Sequence, residues 1–160
     1  MIFVTVGSQK FQFNRLLIEM DKLIEKNKIN EEVLGQIGYS TYKPKNYKVI
    51  QFLNSEEFEK NLRKADIVIT HGGTGTIIKA LKLRKRIVAI ARLKDFREHV
   101  DNHQIQLINE FYDIGLIEKV DDVSLLANVI EKARYKDVKE YASNTNNIIS
   151  QIEKYLDREF

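Results

Sequence analysis

Residues 67–78 read Ile67-Val68-Ile69-Thr70-His71-Gly72-Gly73-Thr74-Gly75-Thr76-Ile77-Ile78. An apolar, β-branched run stops at a glycine turn, and a helical spacing of apolar residues starts directly after it. The stretch therefore predicts a strand, a tight turn and a helix in succession. Glycine lets backbone come close to a ligand, and the first turn of a helix presents N–H groups that have no intrahelical acceptor. Such a junction suits an anion, phosphate above all. Gly73-Thr74-Gly75 carries only part of the GxGxxG dinucleotide fingerprint, because Ile78 stands where the third glycine belongs. The turn also follows the fourth strand-like run, whereas that fingerprint usually follows the first. No GxxxxGK[ST] loop is present. Turn geometry without a ligand is the alternative for these glycines.

Outward from this stretch, short β-type runs alternate with longer helical ones. Strands are expected at 2–6, Glu32–Ile37, Lys48–Phe52, Ile67–Thr70, Arg86–Ala91 and Leu116–Val120. Helices are expected at 13–28, from Asn54 to about Lys64, at Gly73–Leu83, at His99–Tyr112, from Asp121 to about Arg134, and at 137–157 as a closing amphipathic helix. Asn54-Ser55-Glu56-Glu57 is a helix start with an N-cap candidate and acids in the first turn. Asn14 is either an N-cap or a loop hydrogen-bonder. The alternation predicts an α/β fold: a Rossmann-like, doubly wound parallel sheet with helices on both faces, forming one domain over residues 1–160. Ligands of such sheets sit beyond the carboxyl ends of the strands. The loops holding Gly7-Ser8-Gln9, His71–Thr76 and Arg92–Gln104 all fall on that edge.

Composition bounds the function. The chain has 160 residues, 43% hydrophobic and 31% charged, with a net charge of +3 and no cysteine. Disulfides and thiolate metal sites are excluded, and the net charge is too small to imply nucleic-acid binding. Met1-Ile2-Phe3-Val4-Thr5-Val6-Gly7 lacks the basic region and cleavage site of a signal peptide, so a cytoplasmic location is expected. Charge is unevenly spread: Lys79, Lys82, Arg84, Lys85, Arg86, Arg92, Lys94 and Arg97 face only Asp95 over the same stretch. This predicts either a solvated helix end and loop, or a positive rim for a phosphate ligand or an anionic membrane surface.

Glu98-His99-Val100-Asp101-Asn102-His103-Gln104 puts six polar residues at an expected helix start. Asp, Asn, His and Gln offer both donors and acceptors, as the hydroxyls of a sugar require. His99 and His103 would share a helical face near His71, but no metal motif such as HExxH accompanies them. Gly7-Ser8-Gln9 occupies the position of a phosphate-contacting turn, though a plain strand-to-helix turn is equally compatible. There is no GxSxG elbow, cysteine nucleophile or carboxylate pair, so no catalytic base stands out.

With these residues the chain resembles the C-terminal, nucleotide-sugar-binding half of family 28 GT-B glycosyltransferases. It is most similar to stand-alone versions of that half from two-subunit transferases of bacterial capsule and exopolysaccharide synthesis. The small catalytic subunit of the eukaryotic dolichol-linked UDP-GlcNAc transferase belongs to the same group. The resemblance runs through Met1–Ser8, Ile69-Thr70-His71-Gly72-Gly73 and Glu98–Gln104. It implies that Gly7, Ser8, Gln9, His71, Gly72, Gly73, Thr74 and Thr76 bind UDP. It implies that Asp101, Asn102, His103 and Gln104 contact the sugar, and that the backbone at Phe52-Leu53 holds the uracil. Arg92, Lys94, Arg97, Glu98 and His99 are candidate phosphate or partner contacts. Two positions depart from the pattern: Lys79 stands where many relatives carry a ribose-binding Glu, and Ala91 replaces a proline.

A GT-B cleft needs two Rossmann-like domains and 160 residues supply one. The resemblance thus implies an inverting transferase subunit that uses a UDP-sugar without a metal or other cofactor. A membrane-associated partner would supply the acceptor half, and with it the catalytic base. The acceptor would be a lipid-linked saccharide, and the partner would recruit the chain to the inner face of the membrane. Two other readings compete: an NAD(P)-binding Rossmann-type oxidoreductase, and a non-catalytic subunit that stabilises a transferase.

Overall fold

A computed structural model describes residues 1–142 of the chain. Six strands, β1 (Ile2–Thr5), β2 (Val33–Gln36), β3 (Lys48–Ile50), β4 (Ile67–Thr70), β5 (Arg86–Ile90) and β6 (Glu118–Val120), form one sheet. Its order is β3-β2-β1-β4-β5-β6 and every pair is parallel. The helices between them are α1 (Asn14–Glu25), α2 (Ser55–Lys64), α3 (Thr74–Lys82), α4 (His103–Asp113) and α5 (Leu126–Arg134). This is the doubly wound architecture that the alternating pattern predicts.

Alternation along the strands divides the core in two. Ile2, Val4, Ile67, Ile69, Val88 and Ile90 pack with Phe13, Leu16, Leu17 and Met20 and with Leu126 and Ile130 of α5. Phe3, Val68, Ile87 and Ala89 face the other way, onto Leu62 of α2, Ile77, Ala80 and Leu81 of α3, and Ile108 of α4. Both faces are covered, so the central strands read as near-continuous apolar runs. Asn54 is the N-cap expected, and the structure adds a full capping box: its side chain accepts from the Glu57 amide while Glu57 reaches back to the Asn54 amide. Asn14 proves to be a loop hydrogen-bonder: its Oδ1 accepts from the amides of Thr41 and Tyr42. Buried Asp21 clamps the same loop, accepting from the Tyr42 hydroxyl and the amides of Lys45 and Asn46. Burial alone would raise this carboxyl, but those bonds outweigh it and hold its pKa below the ordinary value.

Three expectations need correction. The helix expected at His99–Tyr112 begins at His103, and residues 98–102 form the loop before it. Of the helix expected at 137–157, residues 137–142 are non-helical and the remainder lies outside the described residues. The basic stretch is not one rim. Helix α3 leads away from the ligand edge, which carries Lys79 and Lys82 with it. Arg86 opens β5 and Arg92 lies two residues beyond its end, about 20 Å away at the usual rise per strand residue. Among the described residues, no helix is long and apolar enough to cross a membrane.

Candidate anion-binding site at the strand switch point

The chain winds from β1 outward to β2 and β3, then returns to β4 and winds outward the other way. Beyond the carboxyl ends of β1 and β4 the two directions part and leave a crevice, the usual ligand position in such sheets. Gly7-Ser8-Gln9 follows β1 and His71-Gly72-Gly73 follows β4, so both glycine turns border it.

The His71 ring is wedged between the two turns. A Cβ on Gly7, whose φ is +73°, would stand 2.6 Å from Cε1 of His71, and one on Gly73 would stand 2.7 Å from Nε2. Neither position tolerates a side chain without moving the ring. His71 is only 6% exposed and its Nδ1 has no hydrogen-bond partner. Burial, reinforced by the nearby Arg92 charge, lowers its pKa to about 4, so the ring is neutral at physiological pH. Unfolding restores an ordinary imidazole that binds a proton below about pH 6.5. Stability from this group is therefore complete above that pH and declines toward pH 4, by at most about 1.4 kcal/mol per pH unit. Urea unfolding of the wild type at pH 7 and pH 5, against the same pair for His71→Gln, should show a larger acid loss in the wild type.

Helix α3 opens into the crevice with no side-chain cap. The amides of Thr76 and Ile77 bond to the Gly73 carbonyl, whereas those of Thr74 and Gly75 find no acceptor among the described residues. Helix α2, by contrast, caps its own first turn. The positive end of the α3 dipole and its free N–H groups thus face the crevice together. A Cβ on Gly75 would have nothing within 4 Å, so packing does not require glycine there.

The loop after β5 is built from the polar cluster noted in the sequence. Three successive amides donate into it: Arg92 to Gln104 Oε1 at 3.0 Å, Leu93 to Glu98 Oε2 at 3.0 Å, and Lys94 to Asn102 Oδ1 at 3.1 Å. Asp101 accepts from the His103 amide and meets His99 Nδ1 at 3.1 Å. The His103 amide bond, opposed by burial and aided by the two histidines, lowers the Asp101 pKa. With their oxygens engaged, Asn102 and Gln104 have their amide nitrogens left for a ligand, so they offer donors rather than the mixed set that their composition suggests.

Arg92 and Glu98, expected among phosphate or partner contacts, are instead 0% and 1% exposed. They are struts beneath the loop. Glu98 accepts from Nε and Nη2 of Arg15 at 3.1 and 2.8 Å, and Arg92 donates to the Val6 and Phe11 carbonyls. Lys94 and Arg97 do lie on the surface, and His99 is partly buried, with its ring 5.0 Å from that of Phe11. Arg15 escapes a sequence reading because its partner is 83 residues away. Phe52, near the expected uracil position, is exposed and meets Tyr39 edge-on at 5.2 Å. Two aromatic rings therefore stand beyond the ends of β2 and β3. Among the described residues, no three metal-ligating side chains come together.

Sheet order and the switch-point crevice define a Rossmann-like α/β half. The family model described as the glycosyltransferase family 28 C-terminal domain matches residues 1–158, and the chain belongs to that family. It is 28% identical over 107 residues to the UDP-N-acetylglucosamine transferase subunit ALG13 of Candida glabrata, covering 66% of this chain and 52% of the relative. It is 26% identical over 122 residues to the human protein of the same name, covering 71% of this chain and 10% of that one. The chain thus spans about half the length of the yeast relative. Among solved structures, the solution structure of ALG13 matches with a TM-score of 0.57 at 18% identity, over 94% of this chain and 93% of that one. MurG of Acinetobacter baumannii matches with the same score at 17% identity, over 94% of this chain and 49% of its own.

Proposed function

We propose that this chain is the donor-binding subunit of a two-component inverting glycosyltransferase that uses a UDP-sugar. The observation that carries this reading is the uncapped first turn of α3 opening at the switch point, in a chain of family 28. The UDP diphosphate lies against the Thr74 and Gly75 amides and the Gly7-Ser8-Gln9 turn, with the hydroxyls of Thr74 and Thr76 in support. The uracil lies toward Phe52 and Tyr39. The sugar lies toward the donor groups of Asn102, His103 and Gln104, with Asp101 fixing the start of α4. A hydroxyl oxygen of the acceptor attacks the anomeric carbon as the bond to the UDP oxygen breaks. The N–H groups and the helix dipole stabilise the charge that develops on the leaving diphosphate. The hydroxyl proton passes to a base on the partner subunit, which also binds the acceptor. No metal is required, since backbone dipoles supply the positive field.

The partner is membrane-associated and the acceptor a lipid-linked saccharide, which brings this cytoplasmic chain to the inner membrane face. We place it in bacterial capsule or exopolysaccharide synthesis on the sequence resemblance alone. The relatives named above support UDP-GlcNAc as the first donor to test.

Calorimetric titration with UDP and then NAD, in EDTA, tests the reading. Saturable UDP binding without a response to NAD is expected; NAD binding alone would overturn it. Gly75→Ala sharpens the test. The substitution removes the helix penalty of glycine and should stabilise the fold by about 0.5–1 kcal/mol. It also puts a methyl where the diphosphate approaches, so UDP affinity should fall. Tighter binding together with higher stability would place the ligand elsewhere.

A further inference from the structure

We propose that Arg92 is a positioning residue for the diphosphate: a buried cation that clasps the β1–α1 turn from behind and gives that turn its affinity for anions. This rests on the donor-binding reading above. Arg92 is the largest fully buried side chain of the described residues. One nitrogen, Nη2, donates to the Val6 carbonyl at 2.7 Å and to the Phe11 carbonyl at 3.1 Å. Those carbonyls flank Gly7-Ser8-Gln9-Lys10, so a single guanidinium ties both ends of the turn together. The remainder of the group is unspent, as Nε and Nη1 have no hydrogen-bond partner.

Its charge is only partly balanced. The Glu98 carboxylate is near enough to favour the cation, but it is committed to Arg15 and to the Leu93 amide, and among the described residues no acid lies within ion-pair distance of Arg92. A buried charge with no direct ion pair is costly to desolvate, and a methionine could fill the same space against Phe13 with no such cost. The fold alone gains little from a cation here. An anion on the Gly7 turn gains much, because an attraction through protein interior is weakly screened by salt. His71, the other buried group with an unpartnered nitrogen at this turn, is held neutral and adds no charge of its own. Arg92 thus supplies the charge while the glycine turn supplies the contact. The ligand class it selects is a diphosphate ester, with little effect on the nucleoside.

Isotope-labelled chain, observed by NMR, is titrated with UDP, uridine and inorganic pyrophosphate, as wild type, Arg92→Met and Arg92→Lys. Arg92→Met is expected to weaken UDP and pyrophosphate by about tenfold or more, the scale of a charge-assisted interaction, and uridine by less than about twofold. Arg92→Lys keeps the charge and should restore most of the diphosphate affinity. A merely structural role would weaken uridine and UDP alike, and that result, or unchanged binding of all three, overturns the proposal while leaving the donor reading intact. Should Arg92→Met fail to fold, the wild type still decides. The buried Arg92 Nε–H signal must shift on adding pyrophosphate, with the same dissociation constant as the Gly7 amide, and a static signal overturns the proposal. A wild type that binds neither UDP nor pyrophosphate overturns the donor reading itself.

Discussion

Gly73→Val is expected to abolish UDP binding, with an affinity loss of more than about a hundredfold, equivalent to roughly 2.8 kcal/mol. Gly73 has φ −65° and ψ 120°, which any residue adopts, so backbone strain plays no part. The effect is steric. A Cβ would stand 2.7 Å from Nε2 and 2.9 Å from Cε1 of His71, whose ring is already held on the Gly7 side. The ring has no free direction, and displacing it disturbs both turns that border the crevice. Overpacking of this kind also costs about 1–3 kcal/mol of stability. A double-mutant cycle with His71→Ala checks the cause: if the collision is with the imidazole, the two changes should couple by about 1 kcal/mol or more. Gly73→Val binding UDP like the wild type would remove the 71–76 turn from the donor site. Gly72 makes an instructive contrast. Its φ is +87° and a Cβ would meet Ile108 Cδ1 at 2.6 Å, so substitution there strains the backbone and strikes the core, and a loss of binding would not separate the site from the packing.

Glu98→Ala is expected to give the largest loss of stability of any single change near the site, about 3–5 kcal/mol. Folding free energies of domains are about 5–15 kcal/mol, so this is a large share. Glu98 takes two hydrogen bonds from Arg15 and one from the Leu93 amide at 1% exposure. Its removal leaves the Arg15 guanidinium between the Phe13 and Phe96 rings without its carboxylate, and leaves the Leu93 amide unpaired. Urea denaturation measures the loss. In an Arg15→Met background the same substitution should cost much less, because the stranded charge is already gone. Equal costs in both backgrounds would show that the ion pair is not the source. Loosening of residues 92–102 should also weaken UDP-sugar binding more than UDP binding, since the loop leads into the α4 start.

Much of the fold was legible because the β1, β4 and β5 runs are buried on both faces and α1–α3 carry strong amphipathic spacing. The strand Ile67–Thr70 and the N-cap at Asn54 lie at the residues expected, since each depends on local chemistry. Boundaries failed where distant contacts decide them. The α4 start moved from His99 to His103 because Glu98 and Asn102 satisfy backbone amides of the loop, while Asp101 takes the first amide of the helix. The basic stretch dissolved as a surface because sequence neighbours on either side of β5 end at opposite edges of the sheet. Arg92 illustrates the limit best: read in sequence it is one cation among eight, and only the folded chain shows it buried.

By itself, then, the sequence determined the class of fold and the edge of the sheet on which its glycine turns lie, because hydrophobic period and turn chemistry are properties of neighbouring residues. Only the tertiary structure decided which polar groups face the crevice and which hold the loops together. That division depends on pairs such as Arg15–Glu98 and Arg92–Val6, separated by 83 and 86 residues, whose meeting is a consequence of packing.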